Sequence, residues 1–97
     1  MEKALSRRAE DYLRSIYEIV ERKGFARIKD IAREMGLKPS TVVEMVRKLH
    51  NGGFVHYEKY GGVTLTQRGR EIAEAIKERH DVFKKFLELI LVPEDIA

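Results

Sequence analysis

The sequence predicts a mostly α-helical fold with one small β-hairpin: three helices, then two short strands, then a long closing helix. Three observations predict it. Apolar residues recur at helical spacing in four segments, the pattern turns strand-like only between residues 54 and 65, and glycine or proline marks the changes between segments.

Residues 6–23 form the first helix, with Ala9, Tyr12, Leu13, Ile16, Tyr17 and Val20 at intervals of three and four, Ser6 as N-cap and Gly24 as the stop. A short link, Phe25-Ala26-Arg27, leads to a compact helix over 28–35, where Ile28, Ile31, Ala32 and Met35 share a face. Gly36 follows at the place of a left-handed C-cap. The next helix starts at Pro39, because a residue without an N–H loses nothing in the first turn, and it runs through Val42, Val43, Met45, Val46 and Leu49 until Asn51-Gly52-Gly53. The β-branched and aromatic runs 54–58 and 63–65 flank Lys59-Tyr60-Gly61-Gly62, which reads as a hairpin turn. From Thr66 a long helix places Ile72, Ile76, His80, Phe83, Leu87 and Ile90 on one face, widened by Val82, Phe86 and Leu89. Pro93-Glu94-Asp95 resembles a fresh helix start, so the chain is expected to be the N-terminal piece of something longer.

Ninety-seven residues suffice for one modest core, and 43% apolar against 36% charged residues is a folded composition. No uncharged apolar run approaches the ~20 residues of a membrane span, so no membrane partner is expected. The absence of cysteine removes disulfides, thiolate zinc sites and thiol nucleophiles, and the first residues lack the apolar stretch of a secretory signal. A cytoplasmic location is the expectation. Net charge is only +3, but it is uneven: residues 1–50 hold 12 Lys and Arg against 8 Asp and Glu, residues 51–97 hold 7 against 8. A basic bias confined to one region suits nucleic acid.

Two short helices joined through glycine could be any helical hairpin. Here Ala32 is small where the helices cross, Gly36 takes the turn, and Val42 and Met45 point back towards the core. With the hairpin directly behind, the order is that of a winged helix-turn-helix, whose second short helix enters the major groove. That helix presents Lys38, Ser40, Thr41, Glu44, Arg47 and Lys48 away from its apolar side. Lys38 and Lys48 suit phosphates, Ser40 and Thr41 suit phosphates or base edges, and Glu44 can accept from a cytosine amino group. Pro39, Arg27 and the wing-tip Lys59 and Tyr60 complete the expected surface for double-stranded DNA, though a solvated helix face and an ordinary turn would share the same pattern.

The runs Ala9-Glu10-Asp11-Tyr12-Leu13-Arg14-Ser15-Ile16-Tyr17, Asp30-Ile31-Ala32, Pro39-Ser40-Thr41-Val42 and Tyr57-Glu58-Lys59-Tyr60-Gly61-Gly62-Val63-Thr64-Leu65-Thr66-Gln67-Arg68-Gly69 resemble the metal-dependent repressors related to the diphtheria toxin repressor, nearest to the manganese transport regulator branch. The resemblance covers residues 9–92. It implies a homodimeric repressor that binds a palindromic operator when Mn(II) or Fe(II) is present, with the residues matching Lys38 to Thr41 and Glu44 at the DNA surface. It also places Asp11 and His80 at metal-ligand positions. Two departures cut against a two-metal site: Arg14 stands where the manganese branch has a second carboxylate, and Lys84 where members can place an acid. Without the resemblance, Asp11 is an ordinary residue near a helix start and His80 a histidine packed on an apolar stripe. His50 and His56 read as helix-end and strand residues.

The expected organisation is a DNA-binding winged helix-turn-helix over 1–66 and, over 67–97, the long helix that begins a dimerisation and metal-binding region. Phe83, Phe86, Leu87 and Ile90 are the expected dimer contacts. A winged helix serving protein assembly would need a recognition face without Lys38, Arg47 and Lys48, and DNA binding independent of metal stays open as an alternative. No nucleophile–base set or phosphate-cradling glycine loop supports an enzyme or a small-molecule substrate.

Overall fold

A computed structural model describes residues 5–91, and the expected helix start at Pro93 lies outside the described residues. The element order is α1 (Arg7–Lys23), α2 (Ile28–Met35), α3 (Pro39–Asn51), β1 (Val55–Glu58), β2 (Gly62–Leu65) and α4 (Gln67–Leu91). The mostly helical winged arrangement is as expected.

The helix ends follow from local chemistry. The Ser6 hydroxyl accepts a hydrogen bond from the Ala9 N–H at 3.0 Å, a cap contributing about 1 kcal/mol. Gly36, at φ +68°, lets the chain leave α2 in the left-handed conformation, and the next N–H, from Leu37, bonds back to the Ala32 carbonyl at 2.9 Å. Leu37 then packs against the core and fixes the turn that precedes α3. The α2 start carries an acidic cap: the Asp30 carboxylate accepts from the Arg27 N–H at 3.2 Å and from Lys23 Nζ at 3.0 Å. The Lys23 hydrogen bond and the Arg27 N–H hold the Asp30 pKa below the usual carboxylate range despite its burial.

One core unites the elements. Tyr12, Leu13, Ile16 and Ile19 of α1 pack with Ile31 of α2, Val42, Val46 and Leu49 of α3, Val55 and Val63 of the hairpin and Ala73 of α4. Ile19 joins a helix face on which only Ala9, Tyr12, Leu13, Ile16, Tyr17 and Val20 are expected to be apolar contacts. Its side chain is fully enclosed because α1 is covered on two sides, by α2 and by the first turns of α4.

The link Phe25-Ala26-Arg27 is more than a connector. Ala26 and Val63 exchange backbone hydrogen bonds at 2.9 and 2.7 Å, so the residue adds a single rung to the free side of β2. One alternating pair is too short for a sequence period to reveal. The strands also shift by one residue against the expected 54–58 and 63–65. The Phe54 N–H bonds to the Leu49 carbonyl at 2.9 Å, closing α3 instead of entering the ladder. At the other end, Glu58 pairs with Gly62 around the three-residue loop Lys59-Tyr60-Gly61, and Gly62 adopts φ +86° as the bulge residue of such a loop requires.

Candidate nucleic-acid interface

The helix α3 has two sides of opposite character. Val42, Val46 and Leu49 are buried, which turns Ser40, Thr41, Glu44, Arg47 and Lys48 outward at the complementary helical positions, with Lys38 and Pro39 at its exposed start. Among the described residues, none of Arg27, Lys38, Arg47, Lys48 and Lys59 lies within ion-pair distance of a carboxylate, whereas Arg14, Arg22, Lys23, Arg70 and Lys77 all do. Cations left unpaired on one convex helix face can meet phosphates without first breaking an internal contact. The N-terminal turn of α3, bearing Ser40 and Thr41, is also the part of a recognition helix that reaches base edges.

The wing stands beside this helix in the chain order and presents Lys59 and Tyr60 at its tip. Tyr60 is 85% exposed, and the Lys59 ammonium lies 5.5 Å from its ring centroid. Ahead of α2, Arg27 is exposed and stacks its guanidinium over Phe25 at 5.0 Å. All ten residues expected at a DNA surface are therefore solvent-exposed, and those on α3 share one face.

The metal-ligand candidates sit elsewhere. Asp11 is exposed on α1 and lines a polar cleft of about 230 Å³ with Arg14, Ser15, Glu18, Glu34 and Met35. Its neighbours are engaged: Arg14 pairs with Glu18 at 3.4 Å and Arg22 with Glu34 at 3.7 Å. His80 is not among the residues of that cleft. It is not packed on an apolar stripe either, as its side chain is 58% exposed and its Nδ1 lies 3.9 Å from Asp81. The reason is that α4 leaves the core after Ala73 and Ile76, so its outer turns have no neighbour in the single chain. Phe83, Phe86 and Ile90 are exposed with Val82, Leu89 and Leu91, and Leu87 is half-buried.

His50 and His56 behave as ordinary residues: the His50 ring nitrogen Nδ1 sits 3.2 Å from the Val55 carbonyl, tying the end of α3 to β1, and His56 is exposed on the strand. A second cleft between α1 and α3 brings in Arg8 and Tyr12, which helical periodicity treats as solvent-facing and core residues and cannot associate with the recognition helix.

Comparison with known proteins agrees with this geometry. The signature of the iron dependent repressor N-terminal DNA binding domain matches residues 4–63. The HTH-type transcriptional regulator MntR of Geobacillus kaustophilus is 44% identical over 86 residues, covering 89% of this chain and 61% of the relative. Two solved structures are similar: the IdeR of T. acidophilum, with a TM-score of 0.81 at 26% identity over 95% of this chain and 43% of that one, and the manganese regulator SloR, with a TM-score of 0.70 at 36% identity over 82% and 37%. The chain thus spans about three-fifths of the length of the curated relative it matches. By its signature, its sequence identity and its winged-helix architecture, the chain belongs to the iron-dependent repressor family, a family of transcriptional regulators and not of enzymes.

Proposed function

We propose that the chain is the DNA-reading part of a metal-responsive transcriptional repressor that binds a palindromic operator as a homodimer. The observation that carries this reading is the α3 face, where Lys38, Ser40, Thr41, Glu44, Arg47 and Lys48 are exposed opposite a fully buried apolar side. In this reading Lys38, Arg47 and Lys48 position the helix on phosphates, Ser40, Thr41 and Glu44 meet base edges, Pro39 starts the helix at the groove, and Arg27, Lys59 and Tyr60 contact the flanking backbone or minor groove. Residues 1–66 supply this surface, and 67–97 supply the helix through which two copies associate. Among the described residues no helix is long and apolar enough to cross a membrane, which supports a cytoplasmic place of action.

The test uses a palindromic duplex recovered by selection from a random-sequence library and followed by fluorescence anisotropy. Replacing Lys38 and Arg47 by alanine together is expected to lower affinity at least about tenfold and to flatten the dependence of log K on log salt by about two units, one per lost phosphate contact. Thr41→Ala and Glu44→Ala are expected to relax base preference at single positions by about 1–3 kcal/mol each. Binding that ignores salt, or that is unchanged in Lys38→Ala and Thr41→Ala, overturns the assignment of α3.

The family's metal would be Mn(II) or Fe(II), for which a carboxylate and an imidazole are suitable donors. Asp11 and His80 are two donors only, and among the described residues no three His, Asp or Glu side chains are grouped to hold an ion. The side chains described here do not make up a complete site, and Arg14 adds a positive charge beside Asp11. Mn(II) added to the 97-residue chain is therefore expected to change affinity for the selected duplex less than about threefold, since two exposed donors offer an octahedral ion too few ligands. A metal-induced gain of tenfold or more in the same anisotropy titration would show that further ligands assemble.

A further inference from the structure

The cleft between α1 and α3, about 250 Å³, is lined by Arg8 and Tyr12 from the first helix and by Thr41, Glu44 and Lys48 from the third, with Leu37 and Met45 supplying its apolar part. Both contributions follow from helical spacing. Arg8 and Tyr12 are one turn apart on α1, while Thr41, Glu44 and Lys48 are successive turns of one stripe on α3, the stripe that borders the exposed face. Two long cations and a threonine hydroxyl thus converge on one opening, against a single carboxylate.

Two further features single this opening out. Neither Arg8 nor Lys48 pairs with a carboxylate among the described residues, although Glu44 lines the same cleft. The Tyr12 side chain is 1% exposed, yet its hydroxyl has no hydrogen-bond partner among the described residues. A buried hydroxyl left unpaired is unfavourable, so the position holds an unfilled demand for a polar partner. Burial raises the Tyr12 pKa and the nearby Arg8 charge opposes that rise, which places the guanidinium close to the same hydroxyl.

We propose that this cleft holds a backbone phosphate of the bound duplex, with Arg8 and Lys48 supplying charge, the Thr41 hydroxyl a hydrogen bond, and Tyr12 the polar wall behind them. The interface then extends from the recognition helix onto the start of α1. The chemistry is that of phosphate recognition in general, in which a planar guanidinium donates two hydrogen bonds to one oxyanion. It rests on the reading of α3 as the DNA-facing helix. A phosphate here would anchor the stripe Thr41, Glu44 and Lys48 from its outer side, and the net positive charge of the cleft survives the presence of Glu44.

Arg7 provides the control, because it is exposed on the same first turn of α1 but does not line the cleft. The experiment measures binding of the 97-residue chain to a fluorescein-labelled random-sequence duplex of about 30 base pairs across a salt series. Arg8→Ala is expected to weaken binding about three- to tenfold and to flatten the log–log salt slope by about 0.9, the loss of one phosphate contact. Arg7→Ala, which removes the same charge, is expected to change the slope much less. Arg8→Lys keeps the slope but loses part of the affinity, because an ammonium lacks the fork. Equal effects of Arg7→Ala and Arg8→Ala mean general attraction only and overturn the proposal. If Lys38→Ala and Arg47→Ala also leave binding unchanged, the α3 reading itself fails. If they weaken binding while Arg8→Ala does not, the cleft alone is wrong. Circular dichroism of each variant verifies that the helices remain.

Discussion

Replacing Gly69 by alanine is expected to lower the midpoint of thermal unfolding by about 10–20 °C, in the opposite direction to what helix propensity predicts. Gly69 lies in the first turn of α4, where alanine would ordinarily be favoured by about 1 kcal/mol. The tertiary setting reverses this. The residue is buried, and a Cβ at this position would run into the Phe54 carbonyl group and Cα, which are backbone and cannot swing aside. The corner is tied on both sides: the Thr66 N–H bonds to the Phe54 carbonyl at 3.2 Å, the Thr66 hydroxyl donates to the Gly53 carbonyl at 2.7 Å, and that same hydroxyl accepts from the Gly69 N–H at 3.0 Å. Relief would require α4 to retreat from the end of α3, breaking several of these bonds together. Overpacking of this kind costs about 3 kcal/mol, and each kcal/mol moves the midpoint of so small a domain by about 4–8 °C. Ala75→Gly on the exposed side of α4 is the comparison, with an expected loss of about 1 kcal/mol from propensity alone. A Gly69→Ala variant as stable as the parent, measured by calorimetry, would show that the junction between wing and long helix is not built this way.

That glycine also illustrates where sequence reading stops. Helix starts and stops were legible because their causes are local: the Ser6 hydroxyl reaches an N–H three residues away, and Gly36 turns the chain within its own turn. The winged helix-turn-helix followed from the order of such elements, and the outward side of α3 followed from the inward side of Val42, Val46 and Leu49. Gly69 reads as an unremarkable helix residue, since the Phe54 carbonyl it must clear comes from 15 positions earlier and no short-range period encodes it. Ala26 was hidden for the same reason, its partner Val63 belonging to a distant strand. The cleft of Arg8 and Tyr12 needs α1 and α3 to be placed side by side before it exists at all. Of the metal candidates, Asp11 and His80 came from family resemblance, and residue chemistry alone would not have chosen either. Burial of His80 was a reasonable expectation from its register with Ile76 and Phe83, yet it requires a neighbouring element that this chain does not place over the far end of α4.

That bare end carries the second large effect. Phe83→Asp with Phe86→Asp is expected to convert a dimer into a monomer and to cost operator affinity more than about a hundredfold. Val82, Phe83, Phe86, Leu89, Ile90 and Leu91 are between 54% and 79% exposed along the last turns of α4, and Val82, Phe83 and Phe86 line an open groove of about 520 Å³ with Ala75, Glu78 and Arg79. Contiguous apolar surface of this kind is uncommon on a monomer and marks an association surface. A second copy is its natural partner, because a two-fold axis through such a helix sets the same patch on both sides of the contact and turns two α3 helices towards half-sites about one helical turn apart. The effect on DNA follows from tethering. Once the first half-site is bound, the second binds at an effective concentration fixed by the dimer, a gain of about 10²–10⁴ that vanishes when the copies separate. Charge at these two positions costs the isolated fold little, since both side chains are already more than half exposed. Light scattering should therefore give about 11.3 kDa for the variant and twice that mass for the parent, while circular dichroism of the two stays alike. Binding to a duplex with one half-site should differ little between them, and binding to the full palindrome should differ strongly. A variant that remains dimeric, or a parent that is already monomeric at tens of micromolar, would move the association surface away from Phe83, Phe86, Leu87 and Ile90 and leave this apolar end of α4 without its partner.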